Sequence, residues 1–143
     1  MSTCHRTWRF AASPTGFEQA FIDVREALDA CGVRGHARQN AELVFEEVVS
    51  NVIRHAYDSG DDHGQHQVEV ILAYDSTQLV LTFADDGRPF DPLQKRDPTL
   101  PTSLEEAPLG GLGILLIRKA STDLRYERTD DDRNRLTVTI AGH

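Results

Sequence analysis

ELVFEEVVSNVIRHAY, from Glu42 to Tyr57, is the stretch on which the fold turns. With Ala41 before it, Phe45, Val48, Val49, Val52 and Ala56 recur at the three-and-four spacing that lines up one side of a helix, so this segment is expected to lie on a core. Glu47 and Asn51 share another side. Four residues make about one turn, which stacks the carboxylate over the amide and aims both the same way. Such a pair can grip a metal and activate a hydroxyl. Taken alone, it also reads as the solvated face of a core helix. Asn51 is a poor helix former, and Val48, Val49, Val52 and Ile53 are stiff β-branched residues, so propensity alone does not account for this helix.

Upstream, Thr7 to Ala11 reads as a first strand with Trp8 and Phe10 on one face. Ser13 then caps a helix with Pro14 at its first position. Phe17, Phe21, Val24, Leu28 and Cys31 form its apolar stripe, and Gly32 stops it. Gly32 to Gly35 is a tight connection into the quoted helix, which runs out into the polar loop from Asp58 to Gln67. His63 and His66, beside Asp61 and Asp62, read as part of a solvated loop, since no other ligands fall at a structural zinc spacing.

Downstream, Val68, Val70, Leu72 and Tyr74 alternate with Glu69, Ile71 and Ala73. Leu79 to Ala84 is nearly continuously apolar, and Asp75 to Gln78 turns between the two, giving an antiparallel hairpin. Five of the six prolines then fall between Pro89 and Pro108, where regular structure cannot persist. A loop of that length is expected to be a lid, at about 91–109. Leu112 to Ser121 reads as a third helix, followed by strands near Asp123 to Arg128 and Arg135 to Ala141. The order of strands and helices implies an α+β two-layer sandwich, a mixed or antiparallel sheet with helices on one face.

Composition narrows the function. At 143 residues, 39% hydrophobic and 27% charged, residues 1–143 are expected to form one domain around a single core. A formal net charge of -8 argues against a nucleic-acid or anionic-membrane partner. Lys95 with Arg96, and Arg118 with Lys119, are too short to be basic runs and read as surface. Cys4 and Cys31 are read as neither metal ligands nor a redox pair, a usage typical of a reducing compartment. The first residues lack an apolar signal core and no window approaches a membrane span, so a cytoplasmic protein is expected.

Two glycine motifs flank the lid. Asp85-Asp86-Gly87 ends the central strand, where a buried carboxylate can accept a hydrogen bond from an exocyclic amine and the glycine admits a flat base; it also reads as a plain turn. Gly110-Gly111-Leu112-Gly113 opens the third helix and offers backbone N–H groups at the positive end of its dipole, where phosphates bind. Neither a Walker loop nor a Rossmann fingerprint is present.

In this order the motifs resemble the GHKL nucleotide-binding family, which includes gyrase, Hsp90, histidine kinases and MutL. Glu47-x-x-x-Asn51 is similar to its N box, Asp85-x-Gly87 to its first glycine box and Gly111-x-Gly113 to its second. EEVVSNVIRHAY, DDGRPFDP and LGGLGILLIRK most resemble the bacterial anti-sigma-factor serine kinases. The resemblance implies ATP and magnesium as ligands, Glu47 as general base, Asn51 as the magnesium ligand and Asp85 with Gly87 as the adenine site. It implies Gly110, Gly111 and Gly113 as phosphate-binding backbone, and Thr137 meeting the nucleotide from the last strand. Phe90-Asp91-Pro92 departs from the pattern, standing where many relatives carry a further glycine. The partners implied are a sigma factor, a STAS-domain antagonist phosphorylated on serine, and a second copy in a homodimer. The alternative is a nucleotide-gated anti-sigma or adaptor module without kinase activity. Glu47 favours the enzyme, because a base is needed for proton abstraction and not for holding nucleotide.

Overall fold

Ala41, Phe45, Val48 and Val49 are buried to 3% exposure or less, so the apolar stripe of the quoted segment faces the core as its spacing predicts. The structure is a computed structural model, and it describes residues 3–56, 66–89, 91–94 and 111–142. The elements are β1 (Cys4–Ala11), α1 (Pro14–Ala30), α2 (Gly35–Asn51), β2 (Gln67–Tyr74), β3 (Gln78–Asp85), α3 (Gly111–Ala120), β4 (Asp123–Arg128) and β5 (Asn134–Ala141). A five-residue π-helix, Val52–Ala56, continues α2, and a 3₁₀ turn, Pro92–Gln94, follows β3.

The strands form one sheet in the order β1-β2-β3-β5-β4, with every neighbouring pair antiparallel. α2 packs on α1 and α3 and reaches β3 and β5. Helices therefore cover one face, as the α+β two-layer reading expected. Phe45 joins the layers, its ring centroid 5.9 to 6.2 Å from those of Phe10, Phe17, Phe21 and Phe83.

Local chemistry sets the element ends. Ser13 Oγ accepts the Gly16 N–H at 3.1 Å and caps α1, with Pro14 next. Gly32 and Gly35 take positive φ, 73° and 62°, a conformation that a Cβ opposes. β1 begins three residues earlier than its apolar pattern implied, because backbone pairing with β2 continues to Cys4 opposite Tyr74.

Cys4 and Cys31, read from sequence as unpaired, form a disulfide between the start of β1 and the C-cap of α1, with Cα atoms 5.6 Å apart. They are 27 residues apart in sequence, and only the packing of α1 beside β1 brings them together. The pairing removes the cysteine argument for a reducing compartment. Among the described residues, no helix is long and apolar enough to cross a membrane.

Candidate functional site

The helix-facing rows of β3 and β5 run in register: Leu79 opposite Ile140, Leu81 opposite Val138, Phe83 opposite Leu136. The next rung is polar. Asp85 faces Asn134, and both are buried, at 4% and 5% exposure. Asp85 Oδ1 accepts the Gly87 N–H at 2.9 Å and Asn134 Nδ2 at 3.0 Å. Among the described residues no hydrogen bond reaches its Oδ2. Burial pushes the Asp85 carboxyl above its ordinary value, against the downward pull of those two hydrogen bonds. Gly87 is thereby fixed to Asp85 and, through its carbonyl, to Arg128 Nη1 at 2.8 Å.

This rung forms one side of a cavity also lined by Tyr126 beside it and by Val48, Val52, Phe83, Pro92, Ile117 and Leu136. Asn51 also lines it. The sequence left Asn51 open between a site residue and a solvated face, and the structure buries it to 6% exposure. Its amide makes no hydrogen bond among the described residues. Asn51 and Asp85 thus line the same space, where the Asn51 amide and Asp85 Oδ2 have no hydrogen-bond partner among the described residues.

Gly113 brings α3 against α2 at the same place. A Cβ there would lie 2.5 Å from Glu47 Oε2 and 3.8 Å from Asn51 Nδ2. Glu47, Asn51 and the first turn of α3 thus converge, with Gly111 opening the helix. Glu47 is half-buried. Desolvation, then Glu46, raises its pKa, and Arg54 opposes the shift. A base with a raised pKa holds a transferred proton more readily. Arg118 donates from Nη2 to the Leu93 carbonyl at 3.3 Å, tying α3 to the turn after β3.

The remaining sequence candidates fall differently. Thr137 pairs with Thr82 and lies beside Glu69 and Ile71 on the face without helices, away from Asp85 and Asn51. Gly110, Phe90, Lys95, Arg96, His63 and nearly all of the expected lid at 91–109 lie outside the described residues. His66 Nδ1 stands 3.3 Å from Asp86, and no cluster of three potential metal ligands occurs among the described residues. Asn134 was missed because the last strand was expected to begin at Arg135. Extending the buried alternation of Leu136, Val138 and Ile140 back one step lands on it.

The cavity's apolar walls suit a flat ring, Asp85 Oδ2 suits an amine on that ring, and the glycine turn of α3 suits phosphate oxygens. A nucleotide with a divalent ion at the Asn51 amide fits this donor set. Comparison with known proteins supports a nucleotide-binding domain. A family model described as the histidine kinase-like ATPase domain matches residues 10–140. The serine/threonine-protein kinase BtrW of Bordetella bronchiseptica is 34% identical over 97 residues, covering 68% of this chain and 66% of its own length. The serine-protein kinase RsbW of Listeria monocytogenes is 24% identical over 131 residues, covering 87% and 82%. The SiaB–SiaC complex from Pseudomonas aeruginosa has the same fold, with a TM-score of 0.69 at 20% identity, covering 94% of this chain and 88% of that one.

Proposed function

The chain belongs to the histidine kinase-like ATPase domain family, and on that premise we propose that it is an ATP-dependent serine-protein kinase of a partner-switching circuit. The observation that carries the proposal is the convergence at Gly113 of a half-buried carboxylate, Glu47, and a buried amide, Asn51, that makes no hydrogen bond among the described residues. Holding nucleotide needs the amide and the glycines; the carboxylate beside them is what phosphoryl transfer to a hydroxyl adds.

In this reading Asp85 and Gly87 select adenine. Backbone N–H groups of Gly110, Gly111 and Gly113 receive the phosphates, and Asn51 would hold a magnesium ion. That ion would supply charge neutralisation for the transferring phosphoryl group. Glu47 takes the proton from the acceptor serine as its oxygen bonds to the γ-phosphorus and the bond from that phosphorus to the bridging oxygen breaks, giving ADP and phosphoserine. Residues 91–109 act as a lid over the nucleotide.

The names of BtrW and RsbW support the serine kinase activity. Resemblance to the anti-sigma-factor kinases supplies the partners: a STAS-domain antagonist as phosphoacceptor, a sigma factor as the sequestered protein, and a second copy of the chain. In this reading the circuit is a cytoplasmic one. The test is to separate binding from chemistry. Glu47→Ala should bind ATP and magnesium as the parent does and lose about 10² to 10⁴ in transfer rate; Asn51→Ala should lose both. Transfer at the parental rate from Glu47→Ala would remove the base assignment, and nucleotide binding without transfer by the parent would leave a binding module.

A further inference from the structure

Asn134 has its amide orientation fixed by its neighbours. Its Oδ1 accepts from the Tyr126 hydroxyl and from Arg128 Nη1 at 3.3 Å, while its Nδ2 donates to Asp85 Oδ1 at 3.0 Å and to the Arg88 carbonyl at 2.8 Å. A guanidinium only donates, and an ionised carboxylate only accepts, so the reverse orientation would set donor against donor and acceptor against acceptor. The same row of the sheet carries all three residues, since Asp85 pairs with Asn134 and Asn134 with Arg128. Two donors and two acceptors use both lone pairs and both N–H groups of the amide. Asn134 lines the cavity but has no hydrogen bond left for a bound base, so it acts on the base's hydrogen bonding through Asp85.

Resting on the ATP-site reading above, we propose that Asn134, held by Tyr126 and Arg128, is a positioning residue that sets the purine preference of the site. By occupying Asp85 Oδ1 it leaves Oδ2 as the atom offered to the base. The charged groups influencing Asp85 are Asp86 and Arg128, and the Asn134 hydrogen bond is the largest influence opposing the effect of burial. Without that bond Asp85 holds its proton more tightly, and a protonated carboxyl offers an O–H. That group matches the exocyclic carbonyl of guanine, whereas the ionised carboxylate matches the exocyclic amine of adenine.

The test measures two things in the parent, Asn134→Leu and Tyr126→Phe. Carbon NMR follows the Asp85 carboxyl titration in nucleotide-free protein, and calorimetry gives the affinities for ATP, GTP and inorganic tripolyphosphate with magnesium. In both variants the Asp85 titration should move to higher pH, and in Asn134→Leu the preference for ATP over GTP should fall about tenfold or more. Tripolyphosphate affinity should stay at the parental value. Unchanged titration and preference in both variants overturn the inference while the ATP reading stands, as does an equal loss of all three ligands, which marks a merely structural role. A parent that binds neither nucleotide overturns both.

Discussion

A methyl group at Gly113 would sit 2.5 Å from Glu47 Oε2, and that oxygen is the free end of a flexible side chain. Gly113→Ala should therefore fold, since Glu47 can swing aside, but the carboxylate would leave its working position. Misplacement of a reacting group by about 1 Å can cost about 10² in rate, so the variant should retain ATP affinity and melting temperature while losing turnover on that scale. Turnover at the parental level would show that Glu47's present placement is immaterial. Asp85 has the opposite economy. Burial is the main cause that raises its pKa, so its contribution to stability is present below the ordinary carboxylate range and is lost as pH rises through the raised value. At neutral pH the charged side chain opposes folding. Asp85→Asn keeps an Oδ1 for both Gly87 and Asn134, and should melt higher than the parent at pH 7, with the gap closing as pH falls. A lower melting temperature at pH 7 would contradict this account. The Glu47 and Asn51 pair was legible because helix spacing is local; Asn134 was not, because its partner Asp85 is 49 residues away.

At the level of elements, α2 and β5 show why some features could be read and others could not. Among the described residues, apolar periodicity located the α-helices and strands to within a few residues. A π-helix over Val52–Ala56 has no comparable signature, and it follows directly on Asn51, a common position for such segments at functional sites. The phase of β5 sets Thr137 apart from the other site candidates. β5 alternates strictly, with Leu136, Val138 and Ile140 buried, which sends Thr137 to the other face. The disulfide is likewise a property of two elements rather than of two residues. Closing a chain separation of 27 residues contributes about 3 to 4 kcal/mol by chain entropy. Reduction should lower the melting temperature by about 10 °C in the parent and leave a Cys4→Ser, Cys31→Ser protein unaffected. Equal melting with and without reductant in the parent would show that this staple does not hold β1 to α1.

For the whole molecule, the α+β class followed from element order alone, whereas the strand order β1-β2-β3-β5-β4 needed long-range pairing that no local pattern encodes. That pairing creates the site: it sets β5 beside β3 so that the polar rung of Asp85 and Asn134 closes the cavity opposite Asn51 on α2. A net charge of -8 accords with protein partners rather than nucleic acid. The central claim is that this cavity delivers a phosphoryl group to a protein serine, and the direct measurement is transfer from γ-labelled ATP with magnesium to the STAS-domain proteins of the same genome, followed by phosphoamino-acid analysis. The account predicts labelled phosphoserine on at least one of them with the parent protein, and label reduced about 10² to 10⁴ in rate with Glu47→Ala. Bound ATP with no label on any of these proteins, or label that appears equally with Glu47→Ala, would contradict it.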